Sequence, residues 1–299
     1  MRTLVSVNGR ASAPEDAVVP ALDRGFLYGD SVYEVLWWHR GAAVQADDHM
    51  ARLRESARRI YMEIPGPDER YLDEIRRTLA AAGCGPSDEV YVRLVVTRGV
   101  TPLGLRFEGT TAPTVVVIVA EAHRPTPAEW AKGLAVALVD RLRVSARALD
   151  PAAKTGNYMN NLLALHEANQ RGSDDAVLLN DRGEVTEGTT SNVYVVRDGV
   201  VVTPPLCAGI LKGTTRTRIL ALCARHQVRA EERVLGPDDL RLAPEIFCSS
   251  SVRGVIPVTS VDGRPVGDGR PGPLTRRVHD LFEAAADADA ASRSAFTIV

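Results

Sequence analysis

Apolar residues recur with two different periods along the first 120 residues. A period of two, or a short unbroken apolar run, predicts strands that begin at Leu4 and that cover 31–38, 43–45, 89–97 and 113–120. A helical period predicts a helix that has Asp47 as its N-cap and ends near Tyr61, and a second helix from Glu69 to Ala82. The expected apolar face of the first helix comprises Met50, Leu53, Ala57, Ile60 and Tyr61. The runs at 89–97 and 113–120 are apolar enough to lie in the centre of a sheet.

The rest of the chain predicts a second set of strands and helices. Strands are expected near 134–141, 175–180, 192–197, 199–203, 228–234, 245–250 and 255–260. Helices are expected near 159–170, 214–226 and 273–285. The tripeptide Arg197–Asp198–Gly199 has the composition of a tight hairpin turn between two of these strands.

The order of the elements indicates a mixed α/β (α+β) protein with antiparallel hairpins and two domains. The length of 299 residues also exceeds one typical domain. The proline-containing segment 122–128 is the predicted linker between a small N-terminal domain, 1–121, and a larger domain, 129–285. Residues 286–299 are rich in Ala, Ser and Asp and are expected to form a disordered tail.

Composition excludes several classes of function. Lys plus Arg number 36 and Asp plus Glu number 38, and the net charge of −2 argues against binding of nucleic acid or of an acidic membrane surface. The chain has no apolar run of membrane-spanning length and no secretory leader, so we expect a cytoplasmic protein. Four widely spaced cysteines without a Cys-x-x-Cys motif predict neither a disulfide framework nor a zinc site, and we expect no bound metal.

Lysine is rare in this chain, with Lys132, Lys154 and Lys212 as its three examples. A lysine, unlike an arginine, can lose its proton and act as a nucleophilic amine. Lys154 lies just before the helix predicted at 159–170, a position suited to a lysine that forms a Schiff base with a carbonyl cofactor. The alternative is an ordinary surface lysine.

Three more residues indicate the same chemistry, each with a simpler alternative. Arg52 can hold a phosphate with two hydrogen bonds, or it can be a solvated arginine. Tyr158 can hydrogen-bond a phenolate oxygen, or it can lie at the edge of the core. Glu187 can keep a pyridine nitrogen protonated, because an ion pair favours the charged form, or it can be one more acid beside a turn.

A candidate anion site occupies the segment Gly209–Arg216, where glycines and the hydroxyl residues Thr214 and Thr215 precede a helix. Free N–H groups and the helix dipole favour phosphate at such an end, although a plain N-cap has the same pattern. Ser250 and Ser251, near the end of the strand at 245–250, can add hydroxyl donors. An amine, a carboxylate, a tyrosine and a phosphate cup together describe a site for pyridoxal 5′-phosphate.

These motifs resemble, in the same order, the class IV (fold type IV) pyridoxal-phosphate-dependent aminotransferases. The likeness runs from about Asn8 to Phe282 and rests on Asp23–Glu34, His49-x-x-Arg52-Leu53-x-x-Ser56, Lys154-x-x-Asn157-Tyr158, Val185-x-Glu187-Gly188 with Asn192, Thr203–Pro205 and Leu211-x-Gly213–Arg216. The family contains branched-chain and D-amino-acid aminotransferases, (R)-amine transaminases and aminodeoxychorismate lyase. The resemblance implies a two-domain fold type IV enzyme, with a small N-terminal α/β domain and a larger domain with a mixed, barrel-like sheet.

The resemblance also implies a role for each matched residue. Lys154 is similar to the Schiff-base lysine and general base, Glu187 to the partner of the pyridine nitrogen, and Tyr158 to the ligand of the phenolic oxygen. The implied phosphate ligands are Arg52, Thr214, Thr215 and Ser251, with Ser250 beside them. The expected enzyme is a homodimer that takes a small-molecule amino donor and a keto-acid acceptor, with its active site between the domains and completed by a loop of the partner subunit.

The positions expected to face the substrate resemble two groups of the family. Tyr33-Glu34-Val35 is similar to the D-amino-acid enzymes, since branched-chain enzymes have Phe-Glu-Gly. However, Leu103 and Leu105 stand where D-amino-acid enzymes carry an Arg-x-His carboxylate clamp. Tyr91-Val92-Arg93 resembles the Tyr-x-Arg strand of branched-chain enzymes, and alternation places Tyr91 and Arg93 on one face. Arg93 is the candidate carboxylate ligand, or else it pairs with an acid.

The expected substrate-binding residues are therefore Tyr33, Val35, Trp37, Tyr91 and Arg93, with Trp37 in an apolar pocket. A branched-chain L-amino acid is the expected donor and a 2-keto acid such as 2-oxoglutarate or pyruvate the acceptor. A D-amino acid or an (R)-amine is the alternative donor. Aminodeoxychorismate lyase is a further alternative, although lyases tend to have threonine at the position of Val35. The Lys154–Glu187 pair argues against an inactive carrier of the cofactor.

Overall fold

A computed structural model of the chain describes residues 2–107 and 112–292. These residues form two compact units. The first unit includes the chain up to His123 together with 153–157 and 286–292, and the second comprises 124–152 and 158–285. The first boundary falls inside the segment predicted as a linker, but Pro127 already begins a helix that Thr126 caps. No helix in the described part of the chain is long and apolar enough to cross a membrane.

The first unit contains a six-stranded antiparallel sheet in the order β2-β1-β6-β5-β3-β4. Its strands are β1 (Leu4–Val7), β2 (Arg10–Ser12), β3 (Ser31–His39), β4 (Ala42–Ala43), β5 (Val90–Thr97) and β6 (Val115–Glu121). The two strongly apolar strands, β5 and β6, lie inside the sheet, as predicted. Alternation gives β5 one wholly buried face, formed by Val90, Val92, Leu94 and Val96.

The helices of the first unit are α1 (Arg24–Tyr28), α2 (Ala46–Arg59) and α3 (Asp68–Ala81). The core includes the buried face of β5 together with Met50, Leu53 and Ala57 of α2, which the helical period predicted. The predicted cap was wrong, because Gln45 is the N-cap and Asp47 lies in the first turn. The inclusion of Tyr61 was also wrong. The helix ends at Arg59, and Tyr61 has a φ of 55° and is 84% exposed.

The second unit is built on a nine-stranded mixed sheet in the order β12-β11-β10-β13-β14-β7-β8-β9, with β15 paired to β14. Its strands are β7 (Leu134–Leu142), β8 (Asp175–Leu179), β9 (Val185–Gly188), β10 (Asn192–Arg197), β11 (Val200–Thr203), β12 (Ala230–Glu232), β13 (Glu245–Ser250), β14 (Gly254–Val261) and β15 (Arg264–Pro265). Its helices are α4 (Pro127–Lys132), α5 (Met159–Gln170), α6 (Thr214–Arg225) and α7 (Pro237–Arg241). Asp198 and Gly199 both have positive φ, as the predicted hairpin turn requires.

The last helix, α8 (Pro273–Ser292), continues seven residues beyond its predicted end near 285. The prediction of a disordered tail is therefore wrong for 286–292. Ala286 and Ala290 are buried, and Asp287 accepts a hydrogen bond from His39 Nε2 at 2.7 Å. Residues 293–299, the rest of the predicted tail, lie outside the described residues.

Candidate functional site

Lys154 lies in a short segment that pairs with the start of β3. The main-chain N–H of Tyr33 donates to the Lys154 carbonyl at 3.1 Å, and the N–H of Gly156 donates to the Ser31 carbonyl at 3.0 Å. Residues 153–157 therefore belong to the first unit, although the sequence assigned them to the larger domain. The position of the amine is set by pairing with a strand more than a hundred residues earlier in the chain.

The predicted substrate residues share the face of the first sheet opposite the core. In the β3–β5 register, Val35 pairs with Arg93 and Trp37 pairs with Tyr91, so all four point to the same side as Tyr33. The Lys154 Nζ lies 4.5 Å from the centre of the Tyr33 ring, and the Arg93 guanidinium carbon lies 4.0 Å from it. The fold thus brings an amine, an aromatic ring and a second cation together.

Trp37 shares this face of the sheet but lies apart from the cluster of Lys154, Tyr33 and Arg93. It lies at the other end of β3 from Tyr33 and is fully buried. Its indole N–H donates to Glu89, and its ring lies 4.4 Å from that of His39. Trp37 therefore leaves no exposed surface in this chain against which a substrate side chain could pack.

Arg52 is held on the opposite face of β3. Its Nε and Nη2 both donate to the Glu34 carboxylate at 2.7 Å, and its side chain is only 11% exposed, so it is not the solvated arginine of the simpler alternative. His49 Nδ1 lies 2.6 Å from the same carboxylate. Burial alone would raise the pKa of Glu34, but the charges and hydrogen bonds of Arg52 and His49 lower that pKa to about 2. Burial lowers the pKa of His49, while the neighbouring Glu34 carboxylate opposes that shift.

Glu187 lies on β9, a strand that the sequence analysis did not predict. Its carboxylate accepts from Arg143 Nη2 at 2.8 Å, from the Leu211 main-chain N–H at 2.9 Å and from Asn192 Nδ2 at 3.2 Å. All three donors favour the ionised form of the carboxylate. Glu187 is thus held as an oriented anion rather than as a surface acid beside a turn.

Arg143 is a residue that the sequence analysis missed. It follows β7 directly and also donates to Asn161 Oδ1 at 3.3 Å, and Asn161 Nδ2 in turn donates to the Thr189 carbonyl at 2.5 Å. Arg143 therefore connects Glu187 with α5, the helix that has Tyr158 as its N-cap. No local motif marks Arg143, because its partners lie 18 and 44 residues away in the chain.

The candidate anion site lies at the first turn of α6. Gly213 is the N-cap and has no side chain with which to cap the helix. A Cβ at this position would collide with Asn192 Oδ1, so space rather than backbone angle demands glycine. Thr214 and Thr215 are buried in the first turn. Ser250 ends β13, Ser251 follows it in the turn to β14, and both are half-buried.

Each unit contributes residues whose chemistry suits pyridoxal 5′-phosphate. The Thr215 hydroxyl is buried and has no hydrogen-bond partner within the described residues, a state that a phosphate oxygen beside the helix N-terminus would relieve. The oriented Glu187 anion suits a protonated ring nitrogen. Lys154, Arg52 and Arg93 belong to the first unit, whereas Tyr158, Glu187, Thr215 and Ser251 belong to the second.

Comparison with known proteins gives consistent matches over most of the chain. The family model for amino-transferase class IV matches residues 31–261. A putative branched-chain-amino-acid aminotransferase of Methanocaldococcus jannaschii is 34% identical over 93% of this chain and 95% of its own length. A D-alanine aminotransferase of Bacillus licheniformis is 32% identical, with the same two coverages of 93% and 95%.

A solved structure shows the same relationship. The branched-chain amino acid aminotransferase from Thermobaculum terrenum, in its form with pyridoxal 5′-phosphate, has a TM-score of 0.83 and 26% identity, and the match covers 96% of this chain and 94% of that chain. This match confirms the fold type IV architecture expected from the sequence. The chain belongs to the class IV aminotransferases, enzymes that depend on pyridoxal 5′-phosphate and act on small molecules.

Proposed function

We propose that this enzyme transfers the amino group of a branched-chain L-amino acid to a 2-keto acid such as 2-oxoglutarate or pyruvate. The observation that carries the proposal is the cluster of Lys154, Tyr33 and Arg93 on one sheet face, because it sets a cation for a carboxylate beside the amine for the chemistry. Val35 and Tyr91 border this cluster on the same face. The branched-chain enzymes among the relatives and solved structures support this choice of donor.

Two residues of the chain act directly in the proposed reaction, Lys154 as the base and Glu187 as the partner of the ring nitrogen. When bound, pyridoxal 5′-phosphate supplies an aldehyde that takes up the amino group and a ring that accepts electrons from the breaking bond. The Lys154 Nζ, in its neutral form, would carry the proton of the substrate α-carbon to the C4′ carbon of the cofactor, and the reverse transfer would complete the second half-reaction with the keto acid. Glu187 keeps its negative charge beside the ring nitrogen, so that the nitrogen stays protonated.

The remaining predicted residues bind and orient the cofactor. Tyr158 hydrogen-bonds the phenolic oxygen. Arg52 supplies a guanidinium for the phosphate, and its anchor on Glu34 fixes the direction of that group in advance. The other phosphate ligands are the residues at the first turn of α6 and at the end of β13, namely Thr214, Thr215, Ser250 and Ser251.

A D-amino acid is the second candidate donor, because a D-alanine aminotransferase is 32% identical over 93% of this chain. The loop that follows Arg98 argues against it. Leu103 and Leu105, at the positions of the Arg-x-His clamp, are 76% and 79% exposed and carry no charge for a carboxylate. An (R)-amine needs no such clamp, so it must be tested beside the D-amino acid.

We also propose that the enzyme is a homodimer in the cytoplasm. Leu22 and Phe26 are exposed, as are Leu103 and Leu105. Arg24 donates to the main-chain oxygens of Gly104 and Arg106, and this contact brings the two exposed pairs near each other. An exposed apolar surface of this kind favours association with a second copy. All four cysteines are free thiols, which suits a reducing compartment.

The proposal is tested by steady-state rates with one acceptor, 2-oxoglutarate, and three donors: L-leucine, D-alanine and (R)-1-phenylethylamine. We expect kcat/KM for L-leucine to exceed both others by about a hundredfold or more, since a mismatched donor loses about 3 kcal/mol of transition-state binding. A higher value for either other donor would reassign the substrate. Release of pyruvate from aminodeoxychorismate without any acceptor would instead identify a lyase.

A further inference from the structure

Ser56 ends the His49–Ser56 motif and has no role in the proposed function. It lies within α2, is wholly buried, and its Oγ accepts the main-chain N–H of Lys154 at 3.1 Å. Serine is a weaker helix former than alanine, and a buried hydroxyl is unfavourable unless it is hydrogen-bonded. The next residue, Ala57, is equally buried without a polar group, so packing of α2 does not account for the hydroxyl.

The hydrogen bond to Ser56 is the third that holds the main chain around Lys154 in place. The Lys154 carbonyl accepts from the Tyr33 N–H at 3.1 Å, and the Gly156 N–H donates to Ser31 at 3.0 Å. Both of these bonds join main-chain groups of 154–156 to main-chain groups of β3. The Ser56 bond comes from a side chain of α2, so the Lys154 residue is held by a strand at its carbonyl and by a helix at its N–H.

The helix face that carries Ser56 is itself tied to the same strand. His49, Arg52 and Ser56 are spaced by three and four residues, which places them on one face of α2. His49 and Arg52 both contact the buried carboxylate of Glu34, the neighbour of Tyr33. Two charge-assisted contacts thus set the position of Ser56 relative to the strand that holds the Lys154 carbonyl.

We propose that Ser56 is a positioning residue for Lys154: its buried oxygen fixes the main chain from which the amine extends to within 4.5 Å of the Tyr33 ring centre. This inference rests on the proposed function, because it takes Lys154 as the reactive amine. The lysine side chain is long, so a small tilt of its main chain becomes a larger displacement at Nζ. A misplacement of about 1 Å at a reacting atom can reduce a rate by about a hundredfold.

The test is the Ser56→Ala enzyme loaded with cofactor. We expect kcat to fall by about tenfold or more, with KM for the donor changed by less than about twofold, because the amine is misplaced while the substrate ligands remain. The visible absorption of the bound cofactor changes with pH, and the midpoint of that change should also shift, because the surroundings of the amine change. Ser56→Thr, which retains the acceptor oxygen, should restore both quantities towards wild type.

Thr78→Val is the matched control for the loss of a buried hydroxyl. Thr78 lies on α3 of the same unit, is buried, and donates to the Glu74 carbonyl at 2.7 Å. This variant should lose thermal stability, as we also expect of Ser56→Ala, but keep the wild-type kcat and absorption midpoint. If Ser56→Ala also changes only the melting temperature, or changes nothing, the inference is overturned.

Two further variants keep the result interpretable. If Ser56→Ala does not fold, Ser56→Cys retains the volume and a weak acceptor, and it should show an intermediate shift of the midpoint. A wild-type midpoint and kcat in Ser56→Cys would then reject the inference. Lys154→Ala isolates the proposed function: if it turns over any donor, the amine is misassigned, whereas an inactive Lys154→Ala beside a normal Ser56→Ala overturns only the role of Ser56.

Discussion

Glu187 and Arg143 show how a single residue's chemistry depends on a partner that the local sequence does not reveal. Glu187 stands in a motif and could be predicted from sequence as a carboxylate for a ring nitrogen. What keeps it ionised is Arg143, at 2.8 Å, together with two weaker donors. The pairing joins the residue that directly follows β7 to a residue of β9, so it arises only when the sheet of the second unit forms.

We predict that Arg143→Met weakens the control of Glu187 over the ring nitrogen. Without its ionic partner, the buried carboxylate binds a proton more readily and competes with the nitrogen for it. Nitrogen-15 resonance of labelled cofactor in the variant should move part of the way to the unprotonated position, and kcat should fall about tenfold or more.

The control for this variant is Arg141→Met. Arg141 lies near the end of β7, two residues before Arg143, and pairs with Glu167 at 2.6 Å in a more exposed position. Its loss should leave the nitrogen signal unchanged. An unchanged signal in Arg143→Met as well would show that Arg143 is only structural.

Glu34 and Arg52 lead to a prediction about the phosphate. In Glu34→Gln, Arg52 loses the carboxylate that fixes its Nε–Nη2 edge, so its guanidinium is no longer oriented in advance. We expect affinity for pyridoxal 5′-phosphate to fall by about tenfold to a hundredfold, the range for one hydrogen bond to a charged group. Affinity for pyridoxal, which lacks the phosphate, should change little. Titration calorimetry of the apoprotein measures both.

Glu55→Gln serves as the control for Glu34→Gln. Glu55 lies on the same helix and accepts from Arg58 and Arg59 on the surface, away from Glu34. It should leave both affinities unchanged. Equal losses for the two ligands in Glu34→Gln would mean that Glu34 supports the fold rather than the phosphate ligand.

At the scale of elements, the end of α8 depends on a histidine between two acids. His39 Nδ1 lies 2.6 Å from Glu89 and its Nε2 lies 2.7 Å from Asp287 of α8. Burial alone lowers the pKa of His39, but the two carboxylates raise it above its ordinary value of about 6.5. Protonated His39 therefore stabilises the fold below the unfolded pKa, and this contribution is lost as pH rises through the folded pKa.

We predict that the melting temperature of the wild type exceeds that of His39→Gln most below about pH 6.5, and that the difference shrinks as pH rises above that value through the raised pKa of folded His39. The variant keeps a polar side chain but cannot carry the charge. His166→Gln, on an exposed position of α5, should show no such trend. A difference between wild type and His39→Gln that stays constant with pH would show that His39 acts without its charge.

The elements that sequence reasoning found are those with a strong local period, and the misses have physical reasons. The helical period correctly predicted the buried face of α2 that Met50, Leu53 and Ala57 form. The end of α8 was missed, although Val278, Phe282, Ala286 and Ala290 form one buried row at a spacing of four. Alanines in a polar context resemble a low-complexity tail, and only packing shows that they continue an apolar face. The pairing of 153–157 with β3 is long-range and has no periodic signal.

At the scale of the whole molecule, family motifs predicted fold type IV, the cofactor and the class of reaction. The arrangement of the predicted site residues could be anticipated only in part. Alternation placed Tyr91 and Arg93 on one face, as found, but could not show that Trp37 is enclosed by His39 and Glu89. That outcome depends on neighbours from separate elements.

We predict that the apolar surface around Leu103 and Leu105 holds two copies of the chain together. The double change Leu103→Glu and Leu105→Glu should convert a dimer into monomers, because like charges would be buried at the contact. Light scattering after size-exclusion chromatography measures the mass. The change Leu142→Glu, on an exposed leucine of the second unit, is the control, and an unaltered dimer in the double variant would contradict the prediction.

The most direct measurement is the visible absorption of the purified, cofactor-loaded enzyme during single additions of L-leucine, D-alanine and (R)-1-phenylethylamine, followed by 2-oxoglutarate. We predict a yellow protein that bleaches with L-leucine and recovers its colour with the keto acid, as two half-reactions of amino transfer require. The Lys154→Ala variant should show neither change on the same time scale. A protein that takes up no pyridoxal 5′-phosphate, or that bleaches with another donor and not with L-leucine, would contradict the account.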